Sequence, residues 1–146
     1  MLLYFAAPAF SQAEKEFNKK LIKKIDVLGV EVFCQERDGA DKEERRKTVF
    51  KMDRDKILAA DIFLFVLDGR VPDEGASVKL GIAYADKCLN NDKKLIVGLM
   101  TDIRTKLDPT LKSALDIIAD SEYKLIDCLK SYIFNANKKQ CNPAKK

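Results

Sequence analysis

Ile62-Phe63-Leu64-Phe65-Val66-Leu67-Asp68-Gly69-Arg70-Val71-Pro72-Asp73-Glu74-Gly75-Ala76-Ser77-Val78-Lys79-Leu80-Gly81 begins as an unbroken apolar run, turns through Gly and Pro, and ends among small residues. The opening run, β-branched and aromatic over 62–67, predicts a strand buried on both faces, as strands of parallel sheets are. Residues 76–89 read as a helix, with Asp73 and Glu74 in its first turn, where the helix dipole favours carboxylates. The loop between them therefore stands at the carboxyl end of a buried strand, where open α/β sheets bind ligands. Gly75 lets backbone approach a ligand closely. Lys79 lies one turn further, on the helix face that looks back at the loop.

Working outward, residues 2–7 form a first strand, and Ser11 with Glu14 three positions on makes a capping-box pattern for a helix over 12–28 that Gly29 closes. Residues 30–34 read as a second strand, 42 to about 60 as a charge-rich second helix, and 94–99 as a fourth strand. A short helix over 108–115 opens with Asp108-Pro109, a short fifth strand covers 116–119, and a final helix covers 122–135. No internal repeat is present. Strands separated by single helices require parallel pairing through right-handed crossovers. The expected product is a flavodoxin-like three-layer α/β domain over 1–136, with a parallel five-stranded sheet in the order 2-1-3-4-5 and a polar, Lys-rich tail over 137–146. The switch point of that order falls between the first and third strands, so the loops after Ala7 and Leu67 should face each other across one cleft.

Composition narrows the chemistry. The 146 residues, 47% of them hydrophobic, suffice for one core. A net charge of +4, from 27 basic and 23 acidic residues interspersed along the chain, describes a mixed solvated surface rather than a nucleic-acid face. Histidine is absent, and Cys34, Cys88, Cys128 and Cys141 are scattered, which argues against a zinc site and against Cys–His or Ser–His catalysis. No metal and no cofactor is called for. Cys34, ending a strand, reads as a small buried hydrophobe. The apolar opening lacks a basic flank and runs into Pro8, so it is read neither as a signal peptide nor as a membrane span, and a cytoplasmic location is expected.

Four stretches together resemble the nucleoside 2-deoxyribosyltransferase family: Tyr4-Phe5-Ala6-Ala7-Pro8-Ala9-Phe10, where the family usually has Gly at the place of Ala7; Gln35-Glu36-Arg37-Asp38-Gly39; the helix from Asp53 to Asp61; and Asp73 to Gly81, similar to the family's Asp-x-Gly-x-x-x-Glu-Leu-Gly. The resemblance covers about residues 2–120 and implies the same fold. It also implies 2′-deoxynucleosides and free nucleobases as partners, and a homo-oligomer whose sites are shared between subunits, with neither nucleic acid nor membrane involved. In the family the Glu of the last motif attacks C1′ of the sugar, displacing the base and forming a glycosyl ester that a second base resolves. Here that slot holds Lys79, and an ammonium repels the positive charge that develops at C1′.

The resemblance further implies a role for each matched residue. Asp73 matches the acceptor of the deoxyribose hydroxyls, and reads equally well as a plain helix cap. Asp53 matches the carboxylate that meets the base and helps protonate it as it leaves; the plainer alternative is an exposed acid on a helix rich in Lys and Arg. Tyr4 stands near the aromatic that orients the nucleophile, or serves the core. Phe10 is placed to stack on the base or to pack, and Gln35, Arg37 and Asp38 to read the base edge, although a turn also explains Asp38-Gly39. Asp108 stands where the family presents an Asn to the 5′-hydroxyl from a neighbouring subunit, and Asp keeps the acceptor while losing the donor.

Three explanations of Lys79 remain: a natural non-catalytic homologue, a disabling substitution, or takeover by Asp73 or Glu74, which helical register disfavours. Transfer activity is expected to be impaired, and an inactive nucleoside-binding pseudoenzyme is the alternative. A deoxynucleoside 5′-monophosphate N-hydrolase is another, opposed by Pro8, which offers no N–H to a phosphate. The chain lacks the paired acids of a phosphoacceptor domain and the Gly-x-Gly-x-x-Gly of a dinucleotide-binding fold.

Overall fold

The structure, a computed structural model, describes residues 1–35, 42–69 and 71–141. Its strands are β1 (Leu2–Ala6), β2 (Glu31–Cys34), β3 (Ile62–Val66), β4 (Leu95–Leu99) and β5 (Ile117–Ala119). Its helices are numbered here α1 (Gln12–Asp26), α2 (Lys42–Ala59), α3 (Glu74–Leu89), α4 (Pro109–Ser113) and α5 (Glu122–Cys141). The strands form one sheet in the order β2-β1-β3-β4-β5, every pair parallel. This is the flavodoxin-like arrangement that the alternation of strands and helices predicts.

Strand alternation divides the apolar side chains between two cores. Leu3, Phe5, Ile62, Leu64, Val66, Val97 and Leu99 point to one face, where Leu21, Ile22 and Ile25 of α1 and Leu125 and Leu129 of α5 cover them. Tyr4, Ala6, Phe63, Phe65 and Ile96 point to the other, against Ile57 of α2 and Ala76, Leu80 and Ala83 of α3. Tyr4 and the helices that carry Asp53 and Lys79 lie on this second face. The α2–α3 layer is pinned by Lys94, which is fully buried just before β4. Its ammonium donates to the Ile57 carbonyl at 2.6 Å in the last turn of α2 and pairs with Asp86 of α3 at 2.9 Å.

Local chemistry sets the element ends. Ser11 accepts from the Glu14 amide, and the Glu14 carboxylate accepts from the Ser11 amide, so the capping box forms. Two glycines take left-handed backbone, Gly29 at φ 77° after α1 and Gly69 at φ 128° after β3. Gly75 does not; it lies in the first turn of α3, where a Cβ would stand 3.3 Å from Asp73 Oδ1. The final helix runs past residue 135 to Cys141, so part of the stretch read as a polar tail is helical. The Asn- and Lys-rich sequence there has no apolar stripe to announce a helix, but extending an existing helix costs little once it is nucleated.

Candidate active site

The loop after β1 and the loop from β3 into α3 line one cleft of about 470 Å³, together with the end of β2 and one side of α1. That is a size typical of small-molecule sites. Ala7, Pro8 and Phe10 form one wall, Asp73, Ala76 and Lys79 the opposite one, and Gln35 and Asn18 the side. Parallel pairing of β1 with β3 makes these two loops neighbours, although more than fifty residues separate them in sequence.

Two side chains that line the cleft, Lys79 and Gln35, join two buried ones, Tyr4 and Asp53. Tyr4 is fully buried, its ring 5.6 Å from Phe63 in a stacked arrangement and 5.4 Å from Phe33 in a tilted one. Its hydroxyl donates to Asp53 Oδ1 at 2.7 Å. Burial, and the Asp53 carboxylate accepting this hydrogen bond, push the phenol far above its ordinary value, so it remains a donor at any physiological pH. Asp53 Oδ2 stands 3.1 Å from Lys79 Nζ, and Lys79 also donates to Gln35 Oε1. The same ammonium lies 5.7 Å from the centroid of the Tyr4 ring. Asp53 is 2% exposed, so it is not the solvated helix acid that its Lys- and Arg-rich surroundings suggest. A carboxylate this buried requires a phenol and an ammonium around it, since an uncompensated charge there is expensive.

Asp73 is the N-cap of α3, its Oδ1 accepting from the Ala76 amide at 2.7 Å, while its side chain also lines the cleft. Lys79 pairs with Asp53 of the neighbouring helix and leaves Asp73 to the cap. Phe10 is 80% exposed at the cleft rim. Asp108 caps α4, its Oδ1 accepting from the Thr110 amide at 2.7 Å, which holds its carboxyl below the usual range. It is exposed and does not line the cleft of its own chain. Arg37 and Asp38 lie outside the described residues.

Sequence reasoning missed Asn18. This buried residue of α1 donates from Nδ2 to the Pro8 carbonyl at 2.9 Å and so holds the wall formed by the first loop. The signal was present: Asn18 falls in helical register with Leu21, Ile22 and Ile25, an amide on an apolar face. Lys15 at the cleft edge was also missed; as one of many α1 lysines it carries no signal.

The sequence profile described as nucleoside 2-deoxyribosyltransferase matches residues 3–140. The chain belongs to the nucleoside 2-deoxyribosyltransferase family. Solved structures agree in fold. A conserved protein from Enterococcus faecalis V583 superposes with a TM-score of 0.74 at 22% identity, covering 87% of this chain and 95% of that one. The 2-deoxyribosyltransferase of Bacillus psychrosaccharolyticus gives 0.74 at 21% identity, with 86% and 90% covered. A CMP N-glycosidase from Clostridium botulinum gives 0.57 at 20% identity, with 90% and 100% covered. Curated protein sequences yield no significant match. In the cleft of this chain, the side chain that faces the buried Asp53 carboxylate is the Lys79 amine.

Proposed function

We propose that this member of the family binds 2′-deoxynucleosides in the β1–β3 cleft and that ester-forming deoxyribosyl transfer is blocked in it by Lys79. The observation that carries the proposal is the ion pair at 3.1 Å between Lys79, which lines the cleft, and the buried Asp53. A transferase of this kind needs a carboxylate that attacks C1′ and a second acid that protonates the leaving base. Here one of the two positions is cationic, and it occupies the other with its charge. Asp73 suits the sugar hydroxyls: one oxygen caps α3, and the other is assigned to the ligand. Asp53 is assigned to the base, Phe10 to stacking on it, Gln35 to its edge, and Tyr4 to orienting the carboxylate. Self-association that brings Asp108 of a second copy to the site belongs to the same proposal. So does residence in the cytoplasm; no helix among the described residues is long and apolar enough to cross a membrane.

The test is base exchange. Protein and its Lys79→Glu variant are incubated with 2′-deoxyinosine and free adenine, and deoxyadenosine is followed by chromatography. Exchange by the Glu variant, at least a hundredfold above the parent, supports a transferase scaffold disabled at one residue. An inert Glu variant that still binds 2′-deoxyinosine supports the second reading, an inactive nucleoside binder, for which the tight ion pair also speaks. Failure of both proteins to bind the nucleoside removes the proposal.

A further inference from the structure

We infer that Lys79 is itself a nucleophile toward C1′ of a bound 2′-deoxynucleoside, so that the chain cleaves the N-glycosidic bond through an imine instead of an ester. The inference rests on the nucleoside-binding reading above. A solvated surface lysine of this protein, such as Lys24 or Lys124, has a side chain 56% or 63% exposed. That of Lys79 is 19% exposed, lines the cleft, and points its amine at a carboxylate that is 3% exposed. The neighbours supply what an amine nucleophile needs. Tyr4, fixed between two rings, holds Asp53 Oδ1, which leaves Oδ2 turned toward Nζ as a proton acceptor. Gln35 Oε1 accepts a second Nζ proton and fixes the direction of the amine. Asp53 Oδ2, 3.1 Å from Nζ, is placed to take one of its protons as general base.

The proton inventory closes. Nζ, now neutral, forms a bond to C1′ while the C1′–N bond breaks and its electron pair leaves with the base, which takes the proton Asp53 has just received. The product is a protonated glycosylamine beside an ionised Asp53. Asp53 then carries one proton from Nζ to the ring oxygen, the C1′–O4′ bond opens, and the nitrogen lone pair forms a C=N⁺ bond. Water adds to that carbon, and collapse of the adduct frees the aldehyde of 2-deoxyribose and the amine. The net reaction is deoxynucleoside plus water to free base plus 2-deoxyribose, with no base exchange through an ester.

An imine can be trapped and an ion pair cannot. The protein is incubated with 2′-deoxyinosine and sodium cyanoborohydride, hypoxanthine release is followed, and the adduct is mapped by peptide mass spectrometry. Binding of 2′-deoxyinosine is measured in parallel by equilibrium dialysis on the parent and on Lys79→Arg, which keeps the cation and cannot form the imine. The expected result is one reduced deoxyribosyl group per chain, on Lys79, absent from Lys79→Arg, with dialysis affinities within tenfold of each other. Binding to both proteins without an adduct overturns this inference alone. Adducts spread over surface lysines, equal to those formed with free 2-deoxyribose, overturn it as well by showing solution glycation. Absence of binding to the parent overturns the nucleoside reading and this inference with it.

Discussion

At the scale of single residues, the Tyr4–Asp53–Lys79 cluster is held by partners that cannot be removed one at a time. Tyr4→Phe takes the phenol donor from Asp53 Oδ1 and leaves a buried carboxylate oxygen short of a donor. The expected loss is about 1–3 kcal/mol of unfolding free energy, read as a lower urea midpoint at unchanged slope. If the stability were unchanged, Asp53 would have to be solvated, against its 2% exposure. Tyr4 illustrates how a sequence reading divides. The residue looks either like core or like site, because a tyrosine in a buried strand satisfies both descriptions, and the structure puts its ring in the core and its hydroxyl on Asp53, the partner of the cleft-lining Lys79. Asp53 was legible as a candidate only through its resemblance to a family helix. Its burial is invisible locally, since Arg54 and Asp55 beside it are exposed and paired with each other at the surface.

Among the elements, the decisive joint is between α2, which carries Asp53, and α3, which carries Lys79. Lys94 ties them, donating to the end of α2 and pairing with Asp86 of α3. Lys94→Met leaves the buried Asp86 uncompensated and should cost about 3–5 kcal/mol; the double variant Lys94→Met/Asp86→Leu should recover most of it, because removing both charges removes the desolvation penalty. Thermal or urea unfolding of the three proteins decides this. Equal losses in the single and double variants would assign the effect to packing. The loops show similar cross-links. Asp68 accepts from the Thr101 amide at 2.6 Å and from the Asp102 amide at 2.9 Å, which joins the loop after β3 to the loop after β4. Helix and strand identities were legible from period and caps, and β3 and α3 from one continuous stretch. The loop cross-links were not, because Asp68 lies more than thirty residues from Thr101 and Asp102 and no spacing rule connects them.

For the whole molecule, two buried groups predict opposite limits of pH stability. Asp86 has its carboxyl lowered: burial raises it, and the Asn90 amide and Lys94 ammonium more than reverse that. The folded pKa lies below the unfolded value of 3.8, so this stabilisation is complete above that value and fades as pH falls through the lowered one. Tyr4 is raised above 10.0, so its contribution is complete below that value and is lost as pH climbs beyond it, where the unfolded phenol ionises and the folded one resists. Unfolding midpoints measured across pH should therefore hold level in the neutral range and drop on both sides, with Tyr4→Phe flattening the alkaline limb. An alkaline limb unchanged in Tyr4→Phe would assign that limb to lysine deprotonation instead.

The sequence by itself determined the sheet order and the two loops that face each other, because alternating strands and helices leave few topologies. Only the tertiary structure decided what Lys79 touches. Its reach to Asp53 and Gln35 depends on how α2, α3 and β2 pack against one sheet, and the distances between separate elements are fixed by side-chain packing across the core, which no stretch of sequence carries alone.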